Sequence, residues 1–363
     1  MSTPGVQPPN GTRSAGLCFV DVSGVGNSGK SAAVDLLREI DGLWAPEYSF
    51  EFDLPRVPGG LIDLRTNLVT DWSPVRSHAA VHAFRDVVHK MGRDPAWWDI
   101  WGLMQSTSQR YDRRFRGQFI ELSERFLQSL VVGSYRAEWP YSDLAEQPLL
   151  RLGRKILRRA GLRRQLAREV LLVDGAKFDQ RAAAYLETLY RSIVSPQTEL
   201  VVMNNAFEPF NPVPFLDMLA GSKQIVVTRD PRDMYVSGLN AHKVDKRDRG
   251  LLAFDNDGMN KSFLATDDLS MFVKRYRLYH TNLYRGPDPR VLRLRFEDLV
   301  ADYERTVQRV LDFLGVAPTQ HARPKSAFDP QRSAANIGIW RRYSGGAELR
   351  HIEAELGEYL ANL

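Results

Sequence analysis

The chain has 363 residues, of which 43% are hydrophobic and 26% charged, and its formal net charge is +5. This length and apolar content predict one large globular domain with a full core. The mild positive charge suits an anionic ligand but is too small for a dedicated nucleic-acid-binding protein, so we expect no nucleic acid partner. The single cysteine, Cys18, excludes a disulfide framework and a cysteine-based metal site within one chain.

Residues 1–16 are rich in Pro, Gly, Ser and Thr, and they lack the charged start and apolar core of a signal peptide. No run approaches the ~18 apolar residues that a membrane-spanning helix needs. We therefore expect a flexible N-terminus over 1–16 and a cytoplasmic protein.

A phosphate-binding motif follows this terminus. Residues 18–31 read CFVDVSGVGNSGKS, an apolar run that continues into G-x-x-x-x-G-K-S and then into a helical pattern over 31–40. The glycines let successive backbone N–H groups turn inward, and the start of the helix adds its positive dipole to the lysine. The predicted contacts to a phosphate-like group come from Gly26, Asn27, Ser28, Gly29, Lys30 and Ser31.

Similar apolar runs recur at 199–203, 223–228 and 291–296, with a weaker one at 170–173. Nearly continuous Val, Ile and Leu runs separated by helical patterns indicate buried parallel strands with helices on both faces. The predicted fold class is therefore α/β: a parallel β-sheet of the P-loop type flanked by helices.

Helical patterns fill the intervals, at 79–90, 105–130 and 179–194, and at 303–314 before Gly315. The long interval after the second strand region predicts a helical insertion at about 60–168. We expect a single domain over 17–345 and a C-terminal helix over 346–363.

A second anion site is predicted where the run at 223–228 ends. Residues 226–237 read VVTRDPRDMYVS, in which Asp230 suits a helix N-cap and Pro231 the first helical position. Arg229 at the end of the strand can bind a phosphate with two parallel hydrogen bonds, and Ser237 can add a hydroxyl. In open parallel sheets, ligands bind at this edge.

Four separated stretches resemble the sulfotransferases that use 3′-phosphoadenosine 5′-phosphosulfate (PAPS). Residues 24–31 resemble the 5′-phosphosulfate loop of that family, and residues 226–237 resemble its 3′-phosphate motif. The segment VLRLRFEDLV at 291–300 is similar to its late strand and acidic pair, and SAANIGIWRRY at 333–343 to a variant of its C-terminal G-x-W loop. The resemblance implies PAPS as co-substrate and no required metal.

The resemblance also implies roles for individual residues. Lys30, aided by Ser31 and the loop N–H groups, would stabilise the leaving phosphate, and Arg229 with Ser237 would bind the 3′-phosphate. The basic pair usual before the C-terminal glycine is absent, and Arg332 is a candidate replacement. The further cofactor contacts expected there are Ser333, Gly338 and Trp340.

The proton acceptor is either a carboxylate or a histidine in that family. Glu51 lies after the first helix, where relatives that use a carboxylate place it, and Glu47 is the close alternative. His78 and His82, one helical turn apart, are further candidates.

Two other functions fit parts of the sequence. The run LLVDG at 171–175 resembles a strand that ends in a magnesium-binding aspartate, Asp174, which an ATP-dependent kinase would need. A nucleotide-binding or polyanion-binding module without catalysis would need only the loop and a basic surface.

The basic segment 151–168 is a candidate contact for an anionic membrane or an acidic glycan, although an ordinary solvated helix explains the same pattern. Trp97, Trp98 and Trp101 favour a saccharide acceptor, and a small-molecule acceptor stays open. The sequence does not predict an oligomeric state.

Overall fold

The computed structural model describes residues 16–47, 50–93, 110–139, 141, 148–161, 166–248 and 268–361. The N-terminal segment predicted to be flexible lies outside these residues, except for Gly16. Within the described ranges, none of the helices has the length and apolar character required to cross a bilayer.

A five-stranded parallel sheet forms the centre of the molecule. Its order is β2-β5-β1-β6-β7, and every neighbouring pair is parallel. The strands of this sheet are β1 (Cys18–Gly24), β2 (Leu43–Trp44), β5 (Leu200–Asn204), β6 (Lys223–Thr228) and β7 (Val291–Arg295). The predicted fold class, a P-loop-type parallel sheet flanked by helices, is confirmed.

Helices connect the strands and surround the sheet. In chain order they are α1 (Lys30–Arg38), α2 (Leu61–Arg65), α3 (Pro74–Gly92), α4 (Tyr111–Arg114), α5 (Phe119–Leu130), α6 (Pro148–Arg159), α7 (Phe178–Arg191), α8 (Val213–Met218), α9 (Pro231–Asp248), α10 (Leu269–Asn282), α11 (Phe296–Ala301), α12 (Tyr303–Leu314), α13 (Pro330–Ala334) and α14 (Gly346–Leu356). A π-helical turn (Thr66–Thr70) extends α2, and short 3-10 turns lie at Pro318–Gln320, Ile339–Arg342 and Gly357–Tyr359.

Alternate residues of β1 pack against opposite faces of the sheet. Phe19 belongs to a core shared with α3, α5 and α7, whereas Val20 and Val22 belong to a core shared with α1 and α12. This alternation buries both faces, as expected for parallel strands. A third core joins α9, α10 and α14 through residues such as Phe272 and Ile352.

The apolar run at 170–173 does not join the parallel sheet. It lies in β4 (Arg168–Val173), which pairs antiparallel with β3 (Val131–Ala137) in a separate two-stranded sheet. Val173 packs into the main core with α3 and α5, so an apolar sequence is required although the strand is not central. The insertion at about 60–168 thus contains β3 besides its helices.

The helix predicted over 105–130 is interrupted. Residues 105–109 lie outside the described ranges, and α4 and α5 are separated by Arg116 (φ 55°) and Gly117 (φ 81°), whose left-handed backbone ends a helix. The proposed division into 17–345 and 346–363 stays a prediction, with α14 as the helix of the second part.

Candidate functional site

The loop between β1 and α1 has the geometry of an anion-binding loop. Asn27 (φ 65°) and Gly29 (φ 86°) adopt left-handed conformations that turn the chain before α1 begins at Lys30. A Cβ at Gly24 would overlap Ser28 Oγ and the Val227 carbonyl oxygen, so glycine is required there. The loop therefore presents backbone N–H groups at a helix N-terminus.

Lys30 is held between a carboxylate and an amide. Its Nζ forms an ion pair with Glu51 and donates a hydrogen bond to Asn204 Oδ1 at 3.1 Å. The side chains of Lys30 and Glu51 are 15% and 16% exposed, so the pair lies at the rim of the interior rather than in free solvent. Asn204 Nδ2 also donates to the Phe50 carbonyl oxygen at 3.3 Å, which fixes the amide.

The backbone around Glu51 is tied to a buried tyrosine. Tyr111 Oη donates to the Glu51 carbonyl oxygen at 2.7 Å and accepts from Asp53 N–H at 2.8 Å. Arg56 pairs with Asp53 at 2.7 Å and lies 3.7 Å from Glu51 Oε2. Burial raises the pKa of Asp53, although the positive charge of Arg56 opposes the increase.

Of the two carboxylates predicted as proton acceptors, Glu51 contacts Lys30, whereas Glu47 is exposed. His78 lies instead against the antiparallel pair β3 and β4, here called the β3–β4 hairpin, where its Nδ1 accepts from Leu171 N–H at 3.1 Å. Burial, together with the neighbouring His82, lowers the pKa of His78 to about 4.

Arg229 is buried at the carboxyl end of β6 and contacts the phosphate loop directly. Its Nη1 donates to the Asn27 carbonyl oxygen at 3.2 Å and to Ser237 Oγ at 3.1 Å, and Nη2 donates to the Asn336 carbonyl oxygen. The guanidinium lies 5.0 Å from the Phe296 ring centroid. Burial lowers the pKa of Arg229, but an arginine in a protein stays protonated.

The segment 336–340 folds over Arg229 and is attached to α9. Asp233 accepts hydrogen bonds from Gly338 N–H at 2.8 Å and from Trp340 N–H at 3.3 Å. The guanidinium of Arg232 lies 4.0 Å from the centroid of the Trp340 ring. The left-handed backbone of Gly338 (φ 66°) makes this turn possible.

Ser28 Oγ, Arg229 Nε and Trp340 Nε1 are buried and have no hydrogen-bond partner within the described part of the chain. Buried polar atoms are usually paired, so each is a candidate donor to an anionic ligand. Their residue types fit a ligand that carries phosphate groups.

Arg332 and Ser333 lie in α13, where Arg332 is exposed and Ser333 is half-buried. The contact from this region to Arg229 comes from the Asn336 carbonyl oxygen, which the sequence motifs did not indicate. Tyr111 was also missed, because it contacts Glu51 through backbone atoms and lies sixty positions away in sequence.

Asp174 directly follows β4, which belongs to the two-stranded sheet rather than to the parallel sheet. It is exposed, and its Oδ1 accepts from Ala176 N–H at 2.8 Å. A magnesium-binding aspartate would have to follow a strand beside the phosphate loop. The kinase interpretation depended on Asp174 following a strand of the parallel sheet, and in the structure it does not.

Comparison with known proteins gives a partial match. Residues 174–320 match the model described as "Sulfotransferase family". Over 141 residues the chain is 26% identical to the omega-hydroxy-beta-dihydromenaquinone-9 sulfotransferases Stf3 of Mycobacterium bovis and Mycobacterium tuberculosis. The aligned region is 38% of this chain and 35% of each relative, so the chain matches about a third of their length.

The chain is also similar to solved structures of sulfotransferases. The sulfotransferase domain from the Synechococcus PCC 7002 olefin synthase is 14% identical, with a TM-score of 0.38 and 98% of both chains covered. Mouse sulfotransferase SULT7A1 complexed with PAP is 16% identical, with a TM-score of 0.31 over 53% of this chain and 73% of the mouse chain. The family match over residues 174–320, which include Arg229 and Ser237, confirms the resemblance to sulfotransferases that the motifs predict.

Proposed function

We propose that this chain is a PAPS-dependent sulfotransferase that transfers the sulfuryl group to a hydroxyl or amine of an acceptor. The observation that carries the proposal is the direct contact between the two candidate anion sites, in which Arg229 Nη1 lies 3.2 Å from the Asn27 carbonyl oxygen. A ligand with phosphate groups at two ends fits two adjoining sites, whereas a nucleotide with one phosphate chain needs only the loop.

Two buried donors support this assignment. Ser28 Oγ in the loop and Arg229 Nε at the end of β6 both lack a partner among the described residues. We assign Ser28 to the 5′-phosphate with the loop N–H groups, and Arg229 with Ser237 to the 3′-phosphate. Arg332, Ser333, Gly338 and Trp340 stay candidates for further cofactor contacts.

Lys30 would act on the leaving group. As the bond between sulfur and the bridging oxygen breaks, negative charge accumulates on the departing phosphate, and a fixed ammonium stabilises it. The hydrogen bond from Lys30 to Asn204 and the ion pair with Glu51 hold the ammonium at the end of the loop.

Glu51 would accept the proton of the acceptor. As the acceptor oxygen forms its bond to sulfur, its proton passes to the Glu51 carboxylate, and adenosine 3′,5′-bisphosphate leaves. The carboxylate is held close to Lys30, so proton removal and leaving-group stabilisation would occur at adjacent side chains. Glu47, which is exposed, is the less favoured candidate.

Calorimetry with adenosine 3′,5′-bisphosphate in the absence of metal, compared with ATP and magnesium, tests the ligand assignment. We expect tight binding of the bisphosphate that Arg229→Ala abolishes. A preference for ATP with magnesium would support a kinase and contradict the proposal. Transfer of labelled sulfate from PAPS to an acceptor then separates an enzyme from a module that only binds nucleotides.

The acceptor is proposed only as a class. The tryptophans that favoured a saccharide, at positions 97, 98 and 101, lie outside the described residues. The Stf3 relatives are named for a hydroxylated dihydromenaquinone, which adds hydroxylated isoprenoid lipids to the candidates. Assays with PAPS and separate pools of saccharides and hydroxylated lipids would identify the class of acceptor.

We also propose that the reaction occurs in the cytoplasm.

A further inference from the structure

The segment 151–168 concentrates positive charge. It contains eight arginines and lysines and no acidic residue. Much of it forms α6, which ends at Arg159. A run of this sign attracts an anionic surface over a distance of about one Debye length, roughly 8–10 Å at physiological salt.

The same helix exposes two large aliphatic side chains. Leu152 is 57% exposed and Ile156 is 58% exposed, and their spacing of four residues puts them on one face of α6. Lys155 and Arg159 are exposed beside them. Cations next to exposed aliphatic side chains are typical of helices that lie in a membrane interface.

Another part of the helix faces the protein. Leu157 and Arg158 are half-buried, and Arg158 forms an ion pair with Glu138, which follows β3. This contact attaches α6 to the end of the β3–β4 hairpin. This contact therefore holds α6 against the folded protein, with the face that carries Leu152 and Ile156 exposed.

The hairpin itself exposes further apolar side chains. Tyr135 is 50% exposed and lies opposite Val170, and Leu172, two residues after Val170, is 47% exposed. Opposed residues and residues two apart share a face of a sheet, so Tyr135, Val170 and Leu172 lie on one face, where Val170 is buried and the other two are exposed. Exposed apolar side chains thus lie both on α6 and on the element to which Arg158 attaches it.

We propose that α6 and the exposed hairpin face dock on the surface of an anionic lipid bilayer. The cations would neutralise lipid phosphates, and Leu152 and Ile156 would enter the boundary between headgroups and acyl chains. A soluble polyanion such as an acidic glycan would satisfy the charges but would leave both aliphatic side chains in water. The proposal does not depend on the reaction assigned above.

Cosedimentation of the full chain with vesicles tests this proposal. The probes are vesicles of phosphatidylcholine alone and vesicles of an equimolar mixture of phosphatidylcholine and phosphatidylglycerol. We expect binding to the mixed vesicles, little binding to phosphatidylcholine, and weaker binding as salt rises.

Two double variants separate the contributions. L152S/I156S removes the apolar contact, and K155Q/R159Q removes two charges; we expect each to lower the partition coefficient by about tenfold or more. L278S is the matched control, because Leu278 is also 58% exposed but lies on α10 beside Arg277, which pairs with Glu355 at 2.8 Å. Circular dichroism checks that the variants remain folded.

Three results would overturn the proposal. The first is no binding to the mixed vesicles. The second is binding that L152S/I156S leaves unchanged, because the aliphatic residues would then have no role. The third is equal binding to heparin and to vesicles, with both lowered only by K155Q/R159Q, which would make the surface a site for soluble polyanions.

Discussion

The hydroxyl of Tyr111 holds the main chain of Glu51 in place. It donates to the Glu51 carbonyl oxygen at 2.7 Å and accepts from Asp53 N–H at 2.8 Å, so one buried group fixes both sides of residue 52. Because Glu51 pairs with Lys30, the orientation of the candidate proton acceptor depends on Tyr111, which acts through the main chain of residue 51. We regard Tyr111 as a positioning residue.

Replacing Tyr111 with Phe tests this relationship. The variant loses both hydrogen bonds to the main chain of residues 51 and 53, which costs about 1–3 kcal/mol of unfolding free energy. We expect kcat to fall by about tenfold, since the carboxylate is less well oriented, while the affinity for adenosine 3′,5′-bisphosphate is retained.

Tyr185→Phe is the matched control for that change. Tyr185 is also buried, and its hydroxyl pairs with Ser123 Oγ on α5 at 2.7 Å rather than with the main chain of Glu51. We expect a comparable loss of stability with unchanged kcat. An equal fall in kcat for both variants would show that Tyr111 acts only through general stability.

Lys30→Ala should remove most of the catalytic rate. Loss of a positioned charge at a developing anion typically lowers kcat by about 10²–10³-fold, and we expect an effect of this size in a sulfate-transfer assay. Lys274→Ala, at an exposed position of α10, is the control and should have no effect. A wild-type rate for Lys30→Ala would remove the role assigned to this lysine.

Glu51→Gln separates the two candidate bases. The amide cannot accept a proton from the acceptor, so we expect kcat to fall by about 10²–10⁴-fold, whereas Glu47→Gln should retain activity. The measurement is the rate of sulfate transfer at saturating PAPS. The reverse pattern would move the base assignment to Glu47.

Arg229→Lys tests recognition of the second anion. Lysine keeps the charge but loses the planar fork that contacts Asn27, Ser237 and Asn336. We expect affinity for adenosine 3′,5′-bisphosphate to fall by about 10-fold to 10²-fold, with little change for adenosine 5′-monophosphate. An equal loss for both ligands would mean that Arg229 supports the loop and does not select the 3′-phosphate.

Glu39 makes stability depend on pH. Its buried carboxylate accepts hydrogen bonds from Ala327 N–H at 3.0 Å and Phe328 N–H at 2.7 Å, and it also contacts His321. Burial alone would raise its pKa, but these hydrogen bonds outweigh burial and lower the pKa below 4.5. The stabilisation is present above 4.5 and is lost as pH falls through the lower folded value.

Urea unfolding at pH 7 and at about pH 3.5 checks this linkage. At pH 7, Glu39→Gln should lower the unfolding free energy by about 2–4 kcal/mol, because an acceptor oxygen is replaced by a donor that opposes backbone N–H groups. The difference between the two proteins should shrink at low pH. Glu304→Gln, whose side chain is 82% exposed, is the control.

The sequence predicted the strands at β1, β5, β6 and β7 because each is a short run rich in apolar residues followed by a helical pattern, although only Leu294 of β7 is fully buried. It did not predict β2, since two residues give no periodic signal. The run in β4 was assigned to the wrong sheet, because an apolar sequence reports burial and does not identify the partner strand.

The positions of the loop and of Arg229 at the ends of strands could be predicted from local motifs, since each lies within a single strand-to-helix connection. Contacts made through backbone atoms were not predictable. Asn336 offers its carbonyl oxygen and Tyr111 binds main-chain groups, so neither partner depends on a recognisable side-chain pattern.

The pairing of β1 with β6 sets the distance between the two candidate anion sites. Gly24, at the end of β1, lies opposite Val227, two residues before Arg229. A shift of this pairing by one residue would turn alternate side chains to the opposite face of the sheet. Recognition of two phosphates at a fixed separation would then depend on the hydrogen-bonded core of the sheet. Changes in the surface loops could alter which acceptor binds and leave nucleotide recognition intact.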